Sequence, residues 1–298
     1  MPMASNEEWD LFSSIDAILV INLKHRTDRW ERISRMLSDR GVLDKVLRIE
    51  AVEGKDLPGL GARPWFRKDS SETLLRMKAG AAGCCLSHRK AIETAQKKGF
   101  NRVLVLEDDA NFAPIANDKT MAALGEFLST QDKVDMLYLG FYQKHCYYLP
   151  LAETKIDEDT LAIWRIRGPL MLHAVVISQR IYEPLLDQLP TKKNIWPWMT
   201  YWGSIDAWIQ NKFGRDPQIT ICGCRPSVVV QEANFSDICG RILTVEESEG
   251  THRPMQCKQV RSDQIESLWP RSIAERIYQS YKRGQRLLRA YCFGYHKT

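Results

Sequence analysis

The sequence predicts an α/β fold, a mostly parallel sheet flanked by helices, and three observations carry that expectation. Residues 16–23, Asp-Ala-Ile-Leu-Val-Ile-Asn-Leu, and residues 102–106, Arg-Val-Leu-Val-Leu, are apolar runs of the kind found in strands buried on both faces. Apolar residues at helical spacing follow each of them. Strand and helix patterns alternate through the first half, as in a doubly wound sheet.

Taken in order, the first strand at 16–23 leads to a helix that Thr27 can cap, with Trp30, Ile33 and Leu37 on one face and Gly41 closing it. A second strand spans 46–52. From 55 to 78 the pattern dissolves into Pro, Gly and charge, which reads as a loop. A helix over 79–98 ends at Gly99, and the strand at 102–106 follows. A helix at 119–129 precedes a strand at 135–139. The second half is mixed, with strands at 161–166 and 170–178, then a helix over 179–188 with Pro184 near its first turn. An aromatic loop, Trp196-Pro-Trp-Met-Thr-Tyr-Trp202, precedes a helix over 204–213, and 219–230 is rich in strand.

The chain has 298 residues, 44% hydrophobic and 27% charged, an ordinary globular composition. No apolar run is long enough to cross a bilayer. Residues 1–10 are polar and acidic, unlike a secretory signal, so the expected location is cytoplasmic. Eight cysteines lack the paired C-x-x-C knuckles of a zinc domain, and buried free thiols in a reducing compartment are expected. The net charge is +5, but the stretch from Arg271 onward carries +6, leaving the body near −1. Nothing in that balance supports nucleic-acid binding by the body.

The chemistry points to Glu107-Asp108-Asp109, which leave the 102–106 strand at its carboxyl end, where open α/β sheets hold ligands. Three adjacent carboxylates repel one another, and a hard divalent cation offsets that cost. A helix-capping turn is the competing explanation of the triplet alone. A receiver domain also uses such acids, but it needs a phosphoacceptor aspartate ending a later strand. Here that strand runs into Gly140-Phe141.

The surrounding segments resemble glycosyltransferase family 25, the lipooligosaccharide galactosyltransferases and their procollagen galactosyltransferase relatives. The resemblance lies in Val20-Ile-Asn-Leu23 with Arg26, Asp28 and Arg29; in Gly83-Cys-Cys-Leu-Ser-His88; and in Val103-Leu-Val-Leu-Glu-Asp-Asp-Ala110. It continues through His173-Ala-Val-Val-Ile-Ser178, Ser204-Ile-Asp206, Gln231 and Ser236-Asp-Ile238, in order from residue 16 to 239. The 55–78 loop matches no family pattern. The resemblance implies a GT-A-like, Rossmann-type fold over 15–262, between an extension at 1–14 and a tail at 263–298. It also implies a UDP-hexose donor, galactose or glucose, transferred with inversion to a glycan or glycolipid acceptor, with manganese or magnesium as cofactor. Glu107 and Asp109 would take the metal, Asp237 would complete its shell or cap a local turn, and Asp206 would act as base unless it merely caps its helix.

Asn22, Arg26, Arg29, Ser87, His88 and Asp108 are assigned on that resemblance to the donor site. The guanidinium groups of Arg26 and Arg29 suit phosphates, although a solvated first helical turn explains them equally. Ser87 and His88 are not a nucleophile–base pair, because adjacent helical residues point apart; they are donor-site or packing residues. Asp108 would meet the ribose or a water. Trp196, Trp198, Tyr201 and Trp202 could stack on a sugar or belong to the core or a lid. In the tail, Ile273, Ile277, Tyr281, Leu288 and Tyr291 fall near one helical face among cations, which suits peripheral contact with the inner face of a membrane. A stripe packed on the body is the alternative, and Gly284 interrupts either helix.

Overall fold

The structure, a computed structural model, describes residues 9–143, 145–232, 235–236, 241–242, 255–262, 264, 280–288 and 290. Asp237 and most of the tail, including Ile273, Ile277 and Tyr291, lie outside the described residues. The strands are β1 (Ala17–Asn22), β2 (Val46–Glu50), β3 (Arg102–Glu107), β4 (Ala110–Phe112), β5 (Met136–Tyr138), β6 (His145–Ile156), β7 (Asp159–Ile166), β8 (Ala174–Ser178), β9 (Ile221–Arg225), β10 (Val229–Gln231), β11 (Phe235–Ser236), β12 (Arg241–Ile242) and β13 (Gln256–Gln259). The helices are α1 (Thr27–Ser38), α2 (Glu72–Lys98), α3 (Asp118–Thr130), α4 (Tyr182–Gln188), α5 (Ile195–Trp202) and α6 (Ile205–Asn211).

Nine strands form one sheet in the order β13-β6-β7-β9-β5-β8-β3-β1-β2. The expectation of a mostly parallel sheet needs correction. Seven strands share one direction, but β7 and β8 are reversed and each lies between two of the others. Four of the eight adjacent pairs are therefore parallel and four antiparallel. For β7 the cause is the β6–β7 hairpin, which turns at Asp157 and Glu158 and needs no crossover helix. Its first strand, β6, has no counterpart in the apolar patterning read from the sequence.

Every residue of β1 is buried, which accounts for its continuous apolar run. Alternate side chains feed two cores. Ala17, Leu19, Ile21, Val103 and Val105 face α2, α4, α5 and α6, while Ile18, Val20, Leu104 and Leu106 face α1 and α3. The helices thus cover both faces of the sheet, as alternating β and α patterns require.

Local chemistry explains where several elements depart from expectation. α2 begins at Glu72, inside the segment read as a loop, because the Ser71 hydroxyl accepts the Leu74 amide and starts the helix early. α1 starts at Thr27 itself and has no side-chain cap. Its buried face is Arg29, Ile33 and Leu37; Trp30 is half-buried under the Arg48 guanidinium. The aromatic loop is a helix, α5, since Pro197 falls in its first turn, where a missing N–H costs little. Among the described residues Cys85, Cys146, Cys222 and Cys224 are buried free thiols, Cys84 is half-buried and Cys257 is exposed.

Residues 280–288 are helical, and Arg283 places its guanidinium 4.3 Å from the Trp202 ring centroid and 5.7 Å from that of Tyr201. This part of the tail packs on α5. Among the described residues no helix is long and apolar enough to cross a membrane.

Candidate active site

β3 delivers the acidic triplet from a strand whose Val103 to Leu106 side chains are wholly buried. The three acids then part company. Asp108 turns inward: its Oδ1 accepts from Arg29 Nη1 at 2.8 Å and its Oδ2 from Asn22 Nδ2 at 2.6 Å. Arg32 also donates to the Asp108 carbonyl oxygen. These bonds fasten α1 and the end of β1 to β3. Both Asp108 oxygens accept hydrogen bonds within the protein, so its carboxylate links α1 to β3, and Asp108 also lines the cleft described below.

Asn22 is equally committed, donating to the Arg26 carbonyl at 3.1 Å and accepting from Arg48. Arg26 turns to Asp28 at 2.8 Å, a pairing that lowers the Asp28 carboxyl to about 2, and it does not line the cleft described next. Arg29 does line it, and it also approaches Asp109 at 3.8 Å. Ser87 donates to the Gly83 carbonyl at 2.7 Å and accepts the Val52 amide at 2.8 Å, fixing α2 to the segment after β2.

The cleft has a volume of about 680 Å³ and opens at the carboxyl ends of β1, β2 and β3 against one side of α2. Glu107, Asp109, His88, Cys84, Asp206 and Gln231 meet there. His88 Nε2 lies 2.9 Å from Glu107 Oε1, and the Cys84 thiol donates to the same oxygen at 3.8 Å. Burial raises the Glu107 carboxyl, but the hydrogen bond and charge of His88 outweigh it and hold the group below its ordinary value. The antiparallel pairing of β4 with β10 sets Gln231 opposite Ala110, and Gln231 Nε2 reaches Asp109 Oδ1 at 3.4 Å.

Asp109 and Asp206 carry the unresolved electrostatic cost. Burial, then repulsion from Glu107, pushes the Asp109 carboxyl up to about 7. The same two causes push Asp206 up to about 6. Asp206 is not the cap of α6. Ser204 is, its hydroxyl accepting the Ala207 amide at 3.1 Å. Asp206 Oδ1 is buried without a hydrogen-bond partner. The Met171 backbone amide favours its charged form, and Met171 itself adopts a left-handed φ of 75°, unusual for a residue with a side chain.

Glu107 and Asp109 supply the oxygen donors that a hard divalent cation takes, and a cation beside Asp109 would remove the cost of its ionisation, so the residues fit such an ion. None of Trp196, Trp198, Tyr201 and Trp202 lines this cleft. Trp196 donates to the Pro58 carbonyl at 2.7 Å, Trp198 packs on Trp208, and Tyr201 and Trp202 meet Arg283. Cys84, Met171 and the contact of Gln231 with Asp109 are features the sequence reading did not place in the site. For Cys84 the available signal was its spacing, four residues before His88 on a helix.

Comparison with known proteins bears on the same residues. Residues 15–159 match the model of glycosyltransferase family 25, described as an LPS biosynthesis protein. Residues 15–159, just under half of the chain, belong with glycosyltransferase family 25. It is 32% identical over 133 residues to procollagen galactosyltransferase 2 of Mus musculus, covering 42% of this chain and 20% of the relative. It is 29% identical over 150 residues to the inactive glycosyltransferase 25 family member 3 of Homo sapiens, covering 48% and 24%. The chain thus spans between a fifth and a quarter of the length of these curated relatives. A solved glycosyltransferase involved in glycosylating the major capsid of PBCV-1 aligns over 63% of this chain and 70% of its own at 10% identity. Its TM-score is 0.31, too low to bear on the fold. The family 25 match contains Arg29, Ser87, His88 and the whole triplet, and stops short of Asp206 and Gln231.

Proposed function

We propose that this chain transfers a hexose, galactose or glucose, from a UDP-sugar to a hydroxyl of a glycan acceptor, with inversion at the anomeric carbon and on a GT-A-like scaffold. The observation that carries this reading is Asp206, a cleft carboxylate with an unpartnered Oδ1 and an affinity for protons raised to about 6. A base of that strength is ionised at neutral pH and still accepts a proton readily. The acceptor oxygen bonds to the anomeric carbon, the bond from that carbon to the diphosphate breaks, and the hydroxyl proton passes to an Asp206 oxygen. Arg29, in the cleft wall beside Asp109, supplies positive charge near the departing diphosphate. A manganese or magnesium ion, held by Glu107 and Asp109, would supply further charge stabilisation there. The cleft volume suits a ligand of nucleotide-sugar size.

The family description supports an acceptor in lipopolysaccharide-type synthesis. Peripheral attachment belongs to the same reading: Tyr281 and Leu288 are 60% and 63% exposed on the helical segment 280–288 beside Lys282 and Arg286.

The second reading is an inactive relative that binds a nucleotide-sugar without turnover, favoured by the human relative whose name calls it inactive. A panel of UDP-sugars with manganese and glycan acceptors, read by UDP release and product mass, separates the two. Donor-dependent product lost in Asp206→Asn supports the transferase; tight donor binding with no product from any acceptor supports the inactive relative.

A further inference from the structure

We propose that Cys84, His88 and Glu107 form a binding site for a borderline-soft divalent cation of the zinc class inside the cleft. Cys84 and His88 lie four residues apart on α2, so their side chains leave the same helical face. That face meets the end of β3, where Glu107 emerges. One ligand atom from each of the three lies within 4.8 Å of the others. Sγ is 3.8 Å and Nε2 is 2.9 Å from Oε1, and these distances bracket the ~3.5 Å edge of a tetrahedron built on ordinary zinc–ligand bonds.

The donor set selects the metal. Sulfur, nitrogen and one carboxylate oxygen suit zinc or cobalt, whereas magnesium and calcium demand oxygen. Three protein ligands leave one position open, and all three residues line the cleft, so the ion has a path in and a vacant face toward solvent. Binding forms a sulfur–metal bond and releases the thiol proton to solvent. Affinity therefore rises with pH.

This site is distinct from the Glu107–Asp109 edge assigned to the donor, but it shares Glu107. An ion held on Oε1 by Cys84 and His88 draws that carboxylate away from the donor's ion, so zinc should antagonise transfer. That consequence rests on the proposed function; the binding itself does not.

The test is to titrate the metal-free chain with cobalt and read its optical spectrum. A thiolate-to-cobalt charge-transfer band with tetrahedral visible bands is expected, and one equivalent of zinc should erase both. Cys84→Ser should lose the charge-transfer band and weaken zinc binding at least ~10-fold. Cys257→Ser, at an exposed thiol away from the cleft, should keep the band. His88→Gln should also weaken zinc at least ~10-fold, which covers the case in which Cys84→Ser misfolds. A wild-type spectrum identical to that of Cys84→Ser, a band lost in Cys257→Ser, or unchanged zinc affinity in His88→Gln would overturn the site. These readouts need no turnover, so an inactive chain leaves them standing, and their failure leaves the transferase reading intact.

Discussion

Ser204 caps α6 by accepting the Ala207 amide at 3.1 Å, and this leaves Asp206, two residues on, with a buried Oδ1 that meets no partner. The division of labour between the two side chains separates a stability role from a chemical one. Ser204→Ala should cost about 1 kcal/mol of stability without moving the pH dependence of turnover. Urea denaturation beside a pH–rate profile checks both halves, and a shifted profile would count against the separation.

Asp206→Asn should lower kcat by roughly 10²–10⁴-fold while donor binding stays within a few-fold of wild type. In the wild type, kcat/KM should rise as pH increases through about 6, because the base works only when ionised and burial raises its carboxyl to that value. A profile flat between pH 5 and 7.5 would remove Asp206 from the role of base.

Asp109 makes a prediction about stability. Its folded carboxyl holds a proton up to about 7, above the ordinary value of 3.8. Below the unfolded value both states are protonated and nothing is lost. Between 3.8 and about 7 the folded form binds more protons, so stability falls as pH rises, and the full penalty stands above about 7. Asp109→Asn should therefore raise Tm at pH 8 by roughly 5 °C and change it little at pH 4. The same variant should lose manganese-dependent turnover. Equal Tm at pH 8 would show that its ionisation costs the fold nothing.

The Arg29–Asp108 pair is buried, and its removal is asymmetric. Arg29→Ala leaves a desolvated carboxylate and should cost about 3 kcal/mol. Asp108→Asn added to it should recover part of that loss. Chemical denaturation of the single and double variants measures the difference, and additive losses would show that the two groups are not coupled.

Gly83 lies where α2 crosses the segment after β2, and a Cβ there would sit 2.5 Å from the Val52 carbonyl oxygen. Gly83→Ala should destabilise by more than about 1 kcal/mol, although alanine is the better helix former by about that amount. Gly284→Ala is the contrast, because nothing lies within 4 Å of its added Cβ. It should be neutral or stabilising by up to about 1 kcal/mol. Thermal melts of the two compare crowding with propensity directly.

β1, β3, α1 and α3 were legible from patterning, because strands buried on both faces and amphipathic helices leave a local periodic trace. β6 was not, since it is a hairpin strand with an irregular pairing at Pro150 and Ala152 and alternates poorly. The start of α2 was hidden because charged residues and a serine cap look like loop until Ser71 is seen accepting the Leu74 amide.

By itself the sequence determined the sheet core, the family 25 likeness of residues 15–159, and the delivery of Glu107, Asp108 and Asp109 to a strand end. These follow from local periodicity and from ordered short motifs. Only the tertiary structure decided which partners each acid meets: Asp108 bonds to Arg29 and Asn22, Glu107 to His88 and Cys84, and Asp109 and Asp206 keep a raised affinity for protons. The reason is physical. The hydrogen-bond partners of the triplet lie 19 to 122 positions away in the chain, and no local pattern encodes how much water a carboxylate loses.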